Sequence, residues 1–198
     1  QDNDGVCKKP QTRASVKGNI YTETNRTVEN VQVDLMSLQP EYPKSVSTNK
    51  DGSFLFSDLV TDNAYTITPT KDDDILNGVS TLDIVMIQRH ILGLETLNSP
   101  YKLIAADINN TASITASDLS ELRKVILGIK NNFQNNKSWR FVDSKFSFAD
   151  PGSPFPFNEV NDINNLSQNT GGKDFIAVKV GDVNESVVSN AGDSNEVE

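Results

Sequence analysis

Two segments of this chain, DIVMIQRHILG from Asp83 and DLSELRKVILG from Asp118, follow one template. Asp, Ile, Leu and Gly coincide at four positions, and apolar or basic character is kept at three more. Upstream, Val79-Ser80 falls over Ile114-Thr115. Within 80–93, Leu82, Ile84, Val85, Ile87, Ile91 and Leu92 recur at helical spacing. Within 116–128, Leu119, Leu122, Val125, Ile126 and Leu127 form a second such stripe, with Ser120, Glu121, Arg123 and Lys124 on the other face. Each run stops at Gly, the usual helix terminator. The duplication predicts two amphipathic helices. Helix formation alone does not require, in both copies, an Asp placed three residues after a Ser or Thr.

A calcium loop does place an acid there. Ca²⁺ takes six to eight oxygens, which a twelve-residue loop supplies from its positions 1, 3, 5, 7, 9 and 12. Counting from Asp107 gives Asn109 and Thr111 at positions 3 and 5, and the Ser113 carbonyl at position 7. Ile114 follows as an apolar anchor, Thr115 is position 9, and Asp118 closes the loop at position 12. Asp118 also begins the helix, where the exposed N–H groups favour an acid. The donors are all oxygen, unlike the His and Cys set of a zinc site. In the first copy the same count back from Asp83 gives Asp72, Asp74 and Leu76 at positions 1, 3 and 5, and leucine has no side-chain donor. A shifted register brings in Asn77, so the expected first site is Asp72, Asp74, Asn77 and Asp83.

The remainder reads mainly as strands. ASVKGNIY, VENVQVDLMS, KSVSTN, GSFLFSDL and AYTITPT, between residues 14 and 70, carry alternation and β-formers. Val31, Val33 and Leu35 share one face, opposite Gln32 and Asp34. Asp51-Gly52 suits a hairpin turn. SPYKLIAAD, between the repeats, reads as a short turn-helix or an extended piece. SWRFVDSKFSF and DFIAVKVGDV read as later strands, separated by a Pro- and Asn-rich loop with one helical turn expected near NEVNDI. GDVN at 181–184 echoes the opening of a calcium loop; Asp182 and Asn184 either complete a half-site or form a turn after a strand.

The net charge of −9 argues against a nucleic-acid partner, because such binders need basic surface to displace counterions. It suits hard-cation binding, and also simple solubility. No run approaches the roughly 20 apolar residues of a membrane span. Cys7 is the only cysteine, so it is either a free thiol or pairs with a partner outside these residues. The opening QDNDGVCKKP reads as a linker or processed end, and the closing SNAGDSNEVE as a mobile acidic tail. His90, the lone histidine, has no nucleophile placed to use it and reads as structural. Trp139, Phe141, Phe146, Phe148, Phe155 and Phe157 read as packing residues, with a sugar-stacking platform as the alternative.

Two resemblances follow from these motifs. VKGNIY, VENVQVDL, TNKDGSFLFSDL and AYTITP resemble the carboxypeptidase-regulatory-like, transthyretin-like sandwich, which implies a spacer or presentation domain without an active site. The pair of loop-and-helix segments, DINNTASITASDLSELRKVILG above all, resembles the dockerin domain of cellulosomes. The departures are the weakened first loop, Thr111 where an acid is usual and Ala112 where glycine is usual. That resemblance implies bound calcium and a cohesin partner, met by loop positions ten and eleven and by basic helix residues: Thr81, Leu82 and Arg89, and Ala116, Ser117, Arg123 and Lys124. A sandwich leading into such a pair, then SWRF and KVGDVN, also resembles the C-terminal region of large secreted Bacteroidetes surface proteins, in which a sorting domain often follows.

The expected fold is α+β: a small antiparallel β-sandwich, then a duplicated calcium-loop–helix pair, with C-terminal strands returning to the sandwich. The expected parts are 1–13 as linker or arm, 14–70 as sandwich, 71–130 as helical pair, and 131–198 as strands, long loop and acidic tail. The expected function is a non-catalytic, extracellular, calcium-binding module for protein attachment at a bacterial surface. The alternative is a structural subunit of an extracellular filament or adhesin stalk, stiffened by calcium and contacting neighbouring subunits.

Overall fold

The computed structural model of the protein describes residues 12–190. Cys7 and residues 191–198 of the acidic tail lie outside them, as do the expectations placed there; of the tail's first residues, Ser189 is buried and Asn190 accepts from Glu29 N. The described residues begin with five strands: β1 (Arg13–Thr22), β2 (Gln32–Met36), β3 (Lys44–Ser47), β4 (Ser53–Val60) and β5 (Tyr65–Thr70). Three helices follow, α1 (Thr81–Ile91), α2 (Pro100–Ala106) and α3 (Ala116–Ile126). The chain then returns to strands as β6 (Trp139–Asp143), β7 (Asn161–Ile163) and β8 (Phe175–Lys179).

The alternation read in the sequence sets the strand faces. Val16 and Ile20 of β1, Val33 and Leu35 of β2, and Phe54 and Phe56 of β4 all point into one core with Val31, Tyr65 and Ile67. Gly52, at φ 71°, makes the turn before β4. Two four-stranded sheets enclose this core, in the orders β4-β1-β8-β6 and β3-β2-β5-β7. All pairings are antiparallel except that of β1 with β8, where Ile20 lies opposite Phe175. The early strands therefore do not close a sandwich alone. Strand β8 enters between β1 and β6, and β7 forms the edge beside β5. The helices are thus carried on an excursion from the sandwich.

Strand β8 explains how the two parts join. Every residue of FIAVK is buried. Phe175 and Ala177 face the sandwich core, with Trp139 and Phe141 of β6. Ile176 and Val178, with Val180 just beyond the strand, face a second core. That core contains Ile87 of α1, Leu103 and Ile104 of α2, and Leu119, Leu122 and Val125 of α3. A strand covered on both faces reads as a continuous apolar run. Lys179 ends it, buried over the Trp139 ring and donating to the carbonyls of Asp73 (3.3 Å) and Asp74 (2.7 Å). It thereby pins the segment that leads from β5 to α1.

Two expectations change, and one pair of alternatives is decided. The NEVNDI segment supplies no helical turn: Asn161–Ile163 form β7, because Ile163 is drawn into the sandwich core. The SPYKLIAAD segment is helical as α2, started by Pro100 and capped by the Ser99 hydroxyl. The apolar stripes are narrower than the spacing implied. Leu82, Val85 and Leu92 of the first repeat are exposed, and so is Leu127 of the second, at 71%. Each helix rests on one flank only, and Leu92 and Leu127 are C-caps beyond the last packed turn.

Two predictions follow from the β8 environment. A Cβ at Gly18 would lie 2.1 Å from the Lys173 carbonyl oxygen and 2.7 Å from the Phe54 ring. Gly18→Ala is expected to cost about 1–3 kcal/mol in denaturant unfolding, the range for overpacking; unchanged stability would refute the close approach of β1 to the chain leading into β8. Burial lowers the Lys179 pKa from 10.5 to about 8, against the pull of Asp73 and Asp74. Between those values the unfolded chain holds a proton that the folded chain has released, so stability rises with pH. The penalty for burying the charge is fully present below pH 8. Stability of the protein minus that of Lys179→Met should therefore increase from pH 8 to 10, by up to about 1.4 kcal/mol per pH unit. Parallel pH curves would remove this role.

Candidate metal centre and docking face

Helices α1 and α3 begin in the same way. Ser80 and Thr115 are the N-caps, and Asp83 and Asp118, at the third helical position, accept from the cap N–H in reciprocal capping boxes. The distances are 2.8 Å for Ser80 N to Asp83 Oδ2 and 2.9 Å for Thr115 N to Asp118 Oδ2. Each carboxylate keeps its other oxygen turned away from the helix, and both side chains are fully buried.

For Asp118 that other oxygen, Oδ1, accepts from Asn109 N at 3.1 Å, which folds the preceding loop back over the helix start. Asp107 opens the loop: its Oδ1 accepts from Thr111 N and its Oδ2 from Ala112 N, both at 2.9 Å. Asn110 and Ala112 take positive φ, 56° and 60°, to complete the turn. The Thr111 hydroxyl lies 2.7 Å from Asn109 Oδ1, 3.4 Å from the Ser113 carbonyl and 3.1 Å from the Ser113 hydroxyl. The oxygens of Asn109, Thr111 and Ser113 thus gather around the Thr111 hydroxyl. Thr115 sits beside them, but its hydroxyl already caps α3 and donates to Asp118. Burial raises the Asp107 pKa and the nearby Asp118 adds to this, while the N–H groups of Thr111 and Ala112 oppose it.

The sandwich braces this loop from outside. Arg140 of β6 grips Glu159 through two 2.7 Å bonds and donates to Asn110 Oδ1 at 2.6 Å. Asn136 donates to the Asp107 carbonyl at 3.0 Å. Among the described residues no group of three or more His, Cys, Asp or Glu is gathered as for a metal. The donor set here is two carboxylates supplemented by amide, hydroxyl and carbonyl oxygens. Such a set fits a hard cation such as Ca²⁺ and not a soft one, and its low charge points to modest affinity.

The first repeat is built differently from the expected ligand set. Asp72 accepts from Ser138 N, and Asp74 presents its carbonyl to Lys179. Asn77 pairs with the Val188 backbone, donating to its carbonyl at 2.8 Å and accepting from its N–H at 3.0 Å. Asp83 is instead bonded elsewhere: its Oδ1 accepts from Val183 N (2.9 Å) and Asn184 N (3.3 Å), in the chain that follows β8. Asp182 there accepts from Ser186 N at 3.0 Å and from Val187 N at 2.8 Å. Burial pushes its carboxyl up to about 6. Counting back along the chain from Asp83 could not reach these residues; the GDVN echo was the sequence signal for them.

The residues expected to meet a partner are all on the surface: Thr81, Leu82 and Arg89 on α1, and Ala116, Ser117, Arg123 and Lys124 on α3. The two helices pack together, and Arg123 reaches Gln88 of α1 at 3.3 Å. Leu92, Leu94, Leu127 and Ile129, just past the helix ends, add exposed apolar surface to the same pair. Among the described residues no helix is long and apolar enough to cross a membrane.

No characterised protein sequence matches the chain. Solved structures with partial likeness include the C-terminal fragment of pilus adhesin SpaC from Lactobacillus rhamnosus GG, at 16% identity and TM-score 0.29, covering 33% of this chain and 25% of that one. The Bacillus anthracis TIE protein is 13% identical at TM-score 0.27, over 30% of this chain and 11% of that one. A DUF3823 family protein from Parabacteroides merdae is 19% identical at TM-score 0.26, over 32% and 35%. The chain thus spans about a quarter of the SpaC fragment and less of the TIE protein. Residues 77–137, which hold all three helices and the loop from Asp107 to Asp118, match the Dockerin type I domain.

Proposed function

We propose that the helical excursion is a calcium-dependent docking module, displayed by the sandwich on a secreted or cell-surface protein and acting by binding rather than by catalysis. The observation that carries this reading is the gathering of Asp107, Asn109, Thr111, Ser113 and Asp118 oxygens before α3, within the dockerin-matching segment. When bound, Ca²⁺ would supply a positive centre for loop oxygens that now satisfy one another. Asp107 and Asp118 would carry the charge, and Asn109, Thr111 and the Ser113 carbonyl would complete the oxygen set, with Thr115 beside them. Because the loop sets the start of α3, metal binding would stabilise the helix and the docking face together. Calcium at millimolar concentration outside cells fills even weak sites of this kind.

The docking face has a definite character. Arg89, Arg123 and Lys124 are basic residues on a chain of net charge −9, and they border exposed Leu82, Val85, Leu92 and Leu127. A cohesin-like domain with an apolar patch and an acidic rim is the partner this surface fits. Such charge matching governs association rate and partner choice more than raw affinity.

Two outcomes test the proposal. Removing calcium with EDTA should lower the melting temperature by roughly 5–10 °C, matching the ~2.7 kcal/mol gained at a hundredfold excess over Kd. The double variant Asn109→Ala, Thr111→Ala should lose most of that gain while melting like the parent in EDTA, since neither side chain is in a core. Asp118→Ala should reproduce most of the EDTA loss and add the loss of its cap, about 1 kcal/mol. A melting curve indifferent to EDTA would overturn the proposal. Separately, Arg89→Glu with Lys124→Glu should weaken capture by a cohesin panel at least about tenfold without shifting the melting temperature. Equal capture by the parent and the variant would sink the docking role of this face.

A further inference from the structure

We infer that the protein has a second calcium loop, assembled from two pieces of chain: residues 182–186, which follow β8, and residues 78–83, which lead into α1. The inference rests on the reading of 107–118 as a calcium loop, and it draws three of its six positions, Asp182, Asn184 and Ser186, from outside the residues that match the dockerin type I domain.

The argument is a contact-by-contact equivalence. Asp182 accepts from the N–H groups four and five residues ahead, Ser186 and Val187, just as Asp107 accepts from Thr111 and Ala112. Asp83 Oδ1 accepts from Asn184 N, as Asp118 Oδ1 accepts from Asn109 N. Glu185 takes φ 61° where Asn110 takes 56°. The Ser186 hydroxyl donates to the Gly78 carbonyl at 2.9 Å, the counterpart of Thr111 and the Ser113 carbonyl. Ser80 caps α1 as Thr115 caps α3. Positions 1, 3 and 5 are therefore Asp182, Asn184 and Ser186; after the break in the chain, positions 7, 9 and 12 are Gly78, Ser80 and Asp83. Every donor is an oxygen, and the chemistry suits a hard divalent cation.

Two further observations favour a cation there. Asp83 and Asp182 are 0% and 4% exposed, and among the described residues neither lies within 4 Å of a lysine or arginine head group. Asp83 and Asp182 are two buried carboxylates facing one loop, held by backbone N–H groups and the Ser80 hydroxyl, and the basic neighbour of Asp182, Lys179, has its own charge weakened by burial. The joint between the pieces is also fastened from outside the loop. Asn77 pairs with the Val188 backbone, and Arg26 donates to the carbonyls of Glu185 and Val187. The pieces are thus held in register without the missing peptide link.

Native mass spectrometry of the chain titrated with Ca²⁺, with calorimetry for affinity, tests this. The expected stoichiometry is two ions for the parent and one each for Asp182→Asn and Asp107→Asn. Asn184→Ala, whose side chain is half-exposed and lies in neither core, should keep the fold and weaken one of two sites at least about tenfold. A parent that binds one ion, lost in Asp107→Asn and kept in Asp182→Asn, overturns the split site and leaves the continuous loop standing. One ion with the opposite dependence supports the split site and removes the other. No binding at millimolar calcium overturns both.

Discussion

Two-sided burial of β8 is the constraint on which this architecture depends. A five-residue strand supplies Phe175 and Ala177 to one core and Ile176 and Val178 to another. Neither core is complete without it, so the sandwich and the helices cannot be treated as independent beads. The alternation that on β2 separates core from water here separates core from core. Lys179 marks where that arrangement ends: the strand's last side chain is still covered, so its charge must be met by the carbonyls of Asp73 and Asp74.

Immediately after β8 the chemistry changes from apolar packing to buried carboxylates. Asp83 and Asp118 do two things at once, closing a helix start with one oxygen and fastening a loop with the other. A neutral cap such as Asn could perform the first task, but only a carboxylate offers a second oxygen to accept the loop N–H, and its charge also suits the helix dipole. The helices in turn present basic and apolar residues outward, so the same short elements join the interior, the loops and the proposed docking face.

Much of this was legible in the sequence, for identifiable reasons. The Asp-to-Gly repeat carries its own period, so α1 and α3 and the loop before α3 could be read directly. The strands β1 to β5 followed from alternation and turn residues. Three features were hidden. Counting along the chain from Asp83 leads to Asp72 and Asp74, because position in sequence cannot express that the Asp83 carboxylate meets the Val183 N–H, a hundred residues on. The helical stripes overstated burial, because spacing shows which residues share a face but not whether anything covers it; Leu122 is buried and Leu127 is not. The three-residue β7 gave too little pattern to distinguish from a turn, and only its pairing with β5 makes it a strand.

The parallel pairing of Ile20 with Phe175 has a consequence for how the molecule is made. A strand near the beginning must wait for one near the end, and contacts of such sequence separation slow folding because so much chain must be ordered first. A nascent polypeptide emerging in order would expose the β1 edge, and both unfinished apolar interiors, until residue 179 had appeared. Such a chain stays open while it is being synthesised or threaded and acquires its shape late. Any premature stop before the last strand would leave a sticky fragment rather than a smaller folded one.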